Sequence, residues 1–333
     1  SLALGLSWGG LFVIARWPDR RWSLVTTAVL LAAAAFTRQS EALAAPAAAF
    51  FWLLSRRPRR RAFILAAMIA GIGLVSFVIL NVLTGGGFFF NIVTANVNAF
   101  SWGEVRHRIS EILGYMPVLA LGSGVYVLVA GWRRARSWWL ATPYLIGAAL
   151  SALTIGKIGS NVNYLFELSA AFSLVIGALI AVLNRARWAR ITLILLLALQ
   201  VGGLIRWSQQ DYYQRLMGKV DRRAAIDALM QKVHDAKGPV LADEYMGLIP
   251  LDGRPLYIQP FELTQLARAG VWNQQPFLDA IARKEFGAIL IFHLPGDYPL
   301  HKDRWTEEEL DAIDAHYSFV TIIADTWIYQ PQP

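Results

Sequence analysis

Fourteen arginines crowd into four connections between apolar runs: Arg16, Arg20 and Arg21; residues 56–61 around Pro58; Arg133, Arg134 and Arg136; and Arg185, Arg187 and Arg190. The intervening connections carry only Arg38, Arg106, Arg108 and Lys157 among basic residues. A bias that returns at every second connection is the signature of a multi-span helical membrane protein, because short basic loops stay on the cytoplasmic side. The pattern predicts that the basic connections face the cytoplasm. The others, built from Gly, Asn, Ser and aromatic residues, are predicted to face the cell exterior or periplasm.

Composition agrees with lipid as the solvent for most of the chain. Hydrophobic residues make up 56% and charged residues 16%, which leaves too little polar cover for a water-soluble chain of this length. Residues 1–207 hold 19 basic and 5 acidic residues, whereas residues 208–333 hold 12 basic and 18 acidic. The net charge of +8 is therefore an average over a basic part and an acidic part. Arginines at membrane boundaries are explained by topology and anionic lipid, so nucleic acid is not an expected partner. With no cysteine, neither a disulfide framework nor a thiolate chemistry is available.

The apolar runs give eight expected spans: residues 1–15, 23–37, 41–55, 62–83, 111–132, 138–155, 164–184 and 188–207. Several approach the roughly 20 residues needed to cross hydrocarbon. The second and third are short and meet at Thr37-Arg38-Gln39-Ser40, which predicts a turn dipping below the outer surface with its backbone satisfied by neighbouring helices or a water-filled cavity. The chain opens at Ser1 with an apolar run that lacks a basic n-region and cleavage site. An upstream span and outer loop are expected ahead of it.

After Arg206 the long apolar runs stop, charge rises and punctuation appears at Gly238-Pro239, Asp252-Gly253 and Pro295-Gly296. The expected organisation is a transmembrane helical domain over residues 1–207 and an extracytoplasmic α/β domain over residues 208–333. The fold class is thus a mainly α polytopic bundle with a small C-terminal α/β domain. In the latter the pattern predicts helices at 222–236, 261–269, 275–284 and 306–316, and strands at 239–242, 255–259, 287–292, 319–324 and 326–330.

Polar residues that interrupt the oily part carry the candidate chemistry. Four acids fall in the outward connections: Glu41, Glu104, Glu111 and Glu167. Glu167 lies about one turn inside the seventh run, after Lys157, Asn161, Asn163 and Tyr164. The spacing of Asn163 and Glu167 puts both on one helical face, where an amide and a carboxylate would meet one ligand. A carboxylate at that depth is costly and has either a functional role or a paired one that merely joins helices. Arg38 presents a rigid fork suited to phosphate oxygens, and its alternative is a helix-end anchor that snorkels to the interface. The outer loop from Leu83 to Arg108 runs through Gly85-Gly86-Gly87, Phe88, Phe89, Phe90, Asn91, Asn96, Asn98 and Trp102. Its mixture of amides and rings suits sugar recognition or an isoprenoid tail, and equally an aromatic belt. No Lys-Ser/Thr follows the glycines, so they are not a phosphate loop. Asp243-Glu244 ends a predicted strand, a usual place for ligands in α/β sheets, although a polar strand end is also ordinary. The five histidines show no metal-ligand spacing.

The run Phe36-Thr37-Arg38-Gln39-Ser40, then Thr84-Gly85-Gly86-Gly87-Phe88-Phe89 with Asn91 and Asn98, then Gly156-Lys157-Ile158-Gly159-Ser160-Asn161-Val162-Asn163-Tyr164 with Glu167, and finally Gln259-Pro260-Phe261, resembles bacterial membrane glycosyltransferases of the GT-C superfamily. The likeness is to the protein mannosyltransferase and lipid A aminoarabinose transferase group, the family 39 type. It covers most of the chain and is carried by the order of motifs. The resemblance implies an inverting transfer of a sugar from a polyprenyl-phosphate donor to a lipid, glycan or protein acceptor at the outer face of a bacterial cell membrane.

By the same resemblance Arg38, Gln39 and Lys157 bind the donor phosphate, with Arg38 where the family often has Lys. Asn91, Asn98, Asn161, Asn163, Tyr164 and Glu167 would bind sugar or acceptor. The acid that activates the acceptor is expected upstream of Ser1, which would leave residues 1–333 inactive by themselves unless one of their own acids serves. A divalent ion, Mg or Mn, is compatible with this chemistry, and no ligand cluster points to one. The rival classes are a flippase of lipid-linked sugars and a membrane-anchored glycan-binding protein. No inverted repeat favours the former.

Overall fold

A computed structural model describes residues 1–293 and 300–333. Pro295-Gly296 lies outside the described residues. The chain divides into two compact units, one formed by residues Ser1–Phe89 and Asn98–Trp207, the other by Phe90–Val97 and Ser208–Pro333.

The first unit is helical throughout. Its elements are α1 (Leu2–Arg16), α2 (Arg21–Thr37), α3 (Ala44–Leu54), α4 (Arg60–Leu83), the single turn α5 (Gly87–Phe89), α6 (Trp102–Tyr115), α7 (Pro117–Trp132), α8 (Trp138–Ala152), α9 (Phe166–Val182) and the first part of α10 (Arg187–Asp221). Four stretches are long and apolar enough to cross a membrane: Arg60–Leu83, Trp138–Gly156, Val162–Arg185 and Arg187–Gly218. A fifth is reached if the bent pair α6 and α7 is one span.

Eight full spans are therefore not found among the described residues. Helices α1, α2 and α3 have 15, 17 and 11 residues. At about 1.5 Å per residue they measure about 22, 25 and 16 Å, against about 30 Å of hydrocarbon. The expected span at 111–132 is broken instead of continuous, since α6 and α7 meet at 94°. The break falls at Met116, whose non-helical backbone (φ −125°, ψ 48°) precedes Pro117. Proline pushes the residue before it out of the helical region and cannot donate back to the preceding turn.

Short α3 belongs inside the bundle. Ala44, Ala45, Ala48 and Ala49 are fully buried, and the small side chains let α3 approach α8 closely. At Gly147 of α8 a Cβ would stand 2.5 Å from the Cα of Ala44, so only glycine fits.

The four arginine-rich connections gather at one end of this unit. Arg61 Nη2 donates to the carbonyl of Arg20 (2.6 Å), Arg56 and Arg136 both lie over the ring of Trp52 (4.1 and 5.8 Å), and Arg133 Nη1 donates to the carbonyl of Val182 (2.8 Å). Contacts at the other end join the remaining connections. Ser151 Oγ donates to the carbonyl of Ser40 (3.0 Å), which satisfies the expected turn from a neighbouring helix. Asn98 Nδ2 donates to the carbonyl of Ile158 (2.9 Å), and Ile158 N donates back to Ala99 (2.9 Å).

The second unit contains α11 (Arg223–Asp235), β1 (Val240–Ala242), α12 (Leu248–Leu251), α13 (Pro260–Arg268), α14 (Gln275–Ala282), β2 (Ala288–Phe292), α15 (Leu300–Arg304), α16 (Glu307–His316), β3 (Tyr317–Ile323) and β4 (Thr326–Pro331). The sheet order is β1-β2-β4-β3. Strands β1 and β2 are parallel, with Val240 opposite Ala288, and the other pairs are antiparallel. All five residues of β2 are buried. Ile289 and Ile291 pack with Phe277, Phe286 and Trp305, while Ala288 and Leu290 pack with Leu229 and Val233. A strand covered on both faces reads as an unbroken apolar run. The hairpin β3-β4 turns at Ala324 and Asp325, both left-handed (φ 50° and 59°), as a two-residue turn that follows the strand twist requires.

The small mixed sheet and its helices agree with the expected C-terminal α/β arrangement. One strand does not form. Residues 255–259 pair with no strand and lie between Arg254 and Pro260, with Tyr257 instead packing edge-on to Phe286 at 4.9 Å. The turn α15 has no counterpart in the sequence pattern.

Candidate functional site

The turn between α2 and α3 builds the site. Arg38 leaves α2 in an extended conformation (φ −157°, ψ 119°), and residues Gln39–Ala42 form a 3₁₀ turn before α3 begins. The guanidinium reaches across to the segment ahead of α9. Its Nη1 donates to the carbonyl of Asn163 (2.7 Å) and its Nη2 to Asn163 Oδ1 (3.4 Å), while Cζ sits 4.9 Å from the ring centre of Tyr164. Hydrogen bonds to the fork and a ring beneath it hold a normally floppy side chain in one orientation. N–H donors of the fork remain for a ligand.

Beside the guanidinium lies a cavity of about 300 Å³, lined by Ser1, Leu2, Ala3, Thr37, Arg38, Asn163 and Phe166. Directly behind its wall is a buried polar cluster. Glu41 is 1% exposed and Glu167 is 3% exposed, and the two carboxyl groups are neighbours. Glu41 Oε2 accepts a hydrogen bond from Ser7 Oγ of α1 (2.9 Å). Neither oxygen of Glu167 has a hydrogen-bonding donor. Tyr144 of α8, fully buried, accepts from Trp8 Nε1 (2.8 Å).

The structure brings together Arg38, Asn163, Tyr164 and Glu167 of the expected set. Asn163 and Glu167 do not share a face as their spacing predicts. Residues Val162–Leu165 wind as a 3₁₀ turn, which is tighter than an α-helix, so Asn163 lines the cavity while Glu167 points inward. Gln39 is exposed at the start of the turn. The backbone of Lys157 bridges to Phe100. Asn161 caps the same 3₁₀ turn, its Oδ1 accepting from Val162 N (2.7 Å), and Asn98 is engaged with Ile158. Asn91 falls in the Phe90–Val97 segment of the other unit. Glu104 and Glu111 both bind Arg108 along α6 (2.7 and 3.1 Å).

Sequence reasoning placed Glu41 among the outward acids without assigning it, and passed over Ser7, Trp8 and Tyr144. The available signal was a carboxylate within four residues of an arginine between two apolar runs, a combination that demands a partner. Hydroxyls within apolar helices give no such signal.

In the second unit Asp243 ends β1 and clasps the sheet. Its Oδ1 accepts from Glu244 N (2.6 Å) and Phe292 N (2.9 Å), and its Oδ2 from Trp305 Nε1 (3.2 Å). Burial pushes this carboxyl up from its usual range, against those hydrogen bonds and nearby Arg304. Glu244 pairs with Arg304 at 2.5 Å. Both groups are thus occupied by structural partners. Among the described residues no group of three or more His, Asp or Glu is arranged to hold a metal ion.

No protein-family model, no curated protein and no solved structure matches the chain.

Proposed function

We propose that the chain is a membrane glycosyltransferase of the GT-C type, moving a sugar from a polyprenyl-phosphate donor to a lipid, glycan or protein acceptor at the outer face of a bacterial cell membrane. The observation that carries this reading is the Arg38 fork, oriented by Asn163 and Tyr164 at the wall of a cavity at the end of the unit opposite the arginine-rich connections. A guanidinium held in this way matches two oxygens of a phosphodiester.

A second, apolar groove of about 430 Å³ runs between α3 and α8, with Leu43, Phe51, Trp139, Ile146 and Leu150 among its walls. It suits a hydrocarbon chain in the same unit as the phosphate anchor.

In the proposed reaction an acceptor oxygen attacks the anomeric carbon. The bond from that carbon to the phosphate oxygen breaks, its electron pair leaves with polyprenyl phosphate, and the acceptor proton passes to a carboxylate. Arg38 stabilises the charge that builds on the leaving phosphate. Asn163 at the cavity wall offers its amide to sugar hydroxyls.

The test is transfer from radiolabelled polyprenyl-phosphate sugars in membranes that contain the full-length protein, with nucleotide sugars as the comparison. Label moving from the lipid donor to an acceptor supports the reading. Lipid-linked sugar that crosses the membrane uncleaved would replace it with a flippase.

A further inference from the structure

The apolar groove between α3 and α8 shares a wall with a cavity of about 310 Å³ at the arginine-rich connections. Trp138 and Trp139 line both, and exposed Arg134 lines the cavity. Arg134 ends α7 in the left-handed conformation (φ 50°), with Ala135 N bonded back to the carbonyl of Ala130 (2.8 Å). Glycine is the usual residue at such a helix end, because a side chain is disfavoured there. Thr142 lies one turn beyond Trp138, about 6 Å further along α8. It lines the groove, is 2% exposed, and its Oγ1 has no hydrogen-bond partner. Ser123 and Ser169, also within apolar helices, turn their hydroxyls to the carbonyl four residues back (2.7 and 3.0 Å), as hydroxyls in helices commonly do. Thr142 does not.

A hydroxyl shut into an apolar wall cannot turn to water, so its partner has to come with whatever fills the groove. An isoprenoid chain has no oxygen beyond its phosphate. A glycerophospholipid has ester carbonyls just below its phosphate, and a phosphate beside Arg134 sets them near the depth of Thr142. We propose that the cavity and the groove together hold one anionic glycerophospholipid. Its phosphate rests against Arg134, Trp138 and Trp139 flank the glycerol, and an ester carbonyl accepts from Thr142 Oγ1. One acyl chain follows the groove from Trp138 to Leu150, about 18 Å of α8. The arginines of the neighbouring connections favour a lipid with net negative charge over a zwitterionic one. Arg38 lies at the opposite end of the unit, so the site does not depend on the transfer reading.

The experiment is native mass spectrometry of the full-length protein, delipidated in detergent and titrated with dioleoyl phosphatidylglycerol, its dialkyl ether analogue, dioleoyl phosphatidylcholine or a polyprenyl phosphate. The expected result is one phosphatidylglycerol bound per chain, about tenfold tighter than phosphatidylcholine and about fivefold tighter than the ether analogue, which lacks the carbonyl. In Thr142→Val the ester and ether lipids should bind alike. Arg134→Gly should weaken phosphatidylglycerol about tenfold, while the unfolding midpoint of the lipid-free protein does not fall, because glycine suits the left-handed position. The comparison of ester and ether lipids on the unaltered protein stands even if Thr142→Val does not fold. Equal binding of ester and ether lipids, or of phosphatidylglycerol and phosphatidylcholine, would overturn the proposal. So would phosphatidylglycerol binding that Arg134→Gly leaves unchanged. Tighter binding of the polyprenyl phosphate, weakened by Arg134→Gly, would give the groove to an isoprenoid lipid instead.

Discussion

Arg38 and Asn163 stand 125 residues apart in the chain and are joined by two hydrogen bonds from one guanidinium. The shorter goes to the backbone carbonyl, the longer to the side chain. Asn163→Ala therefore keeps the stronger contact and is expected to change donor KM by less than about threefold. Arg38→Lys keeps the charge but loses the fork, and is expected to raise donor KM about tenfold, the loss of roughly one charge-assisted hydrogen bond. Steady-state kinetics on the two variants checks the order.

Ser7 is the protein donor to buried Glu41. Ser7→Ala leaves that oxygen unpaired, at a cost of about 1–3 kcal/mol. Thermal unfolding in detergent should show the loss, whereas Ser110→Ala, whose hydroxyl bonds its own helix at the surface, should leave the midpoint unchanged.

Gly147 and Gly177 are both interior helical glycines with opposite surroundings. A methyl at Gly147 collides with the backbone of Ala44, and one at Gly177 meets nothing within 4 Å. Gly147→Ala should lower stability by about 1–3 kcal/mol through forced separation of α3 and α8. Gly177→Ala should be neutral or stabilising by up to about 1 kcal/mol. Unfolding midpoints should fall for Gly147→Ala and should not fall for Gly177→Ala.

Glu309 closes the capping box of α16 and is 2% exposed. Burial pushes its carboxyl up to about 7. The folded chain thus binds this proton more tightly than the unfolded chain. The contribution is full below the ordinary Glu range and is lost as pH rises through about 7, on the order of 3 kcal/mol at most. Hydrogen exchange in α16, corrected for intrinsic rates, should show less protection at pH 7.5 than at pH 5.5. Glu309→Gln should flatten that dependence.

Much of this is written locally in the chain. The alternating arginines foretell which connections share an end of the helical unit. The apolar run 288–292 foretells a buried central strand. Helix lengths were less legible, because α1, α2 and α3 are apolar like full spans, and their packing on one another, on α4 and on α8 is not written locally. Arg38 is conspicuous as a charge between two apolar runs. Its relation to Asn163, and that of Glu41 to Glu167, depends on how distant helices meet, and no local pattern records it. The same holds for Ser7 and Tyr144, which look like ordinary residues of oily helices.

Sugar transfer by Arg38→Ala in membranes, set against the unaltered protein with a radiolabelled polyprenyl-phosphate sugar, tests the central claim most directly. Removal of the fork should lower transfer by about a hundredfold, as expected when two charge-assisted hydrogen bonds to the leaving phosphate are lost. Transfer at the same rate with the same donor KM would contradict the account and return Arg38 to an anchor for the end of α2.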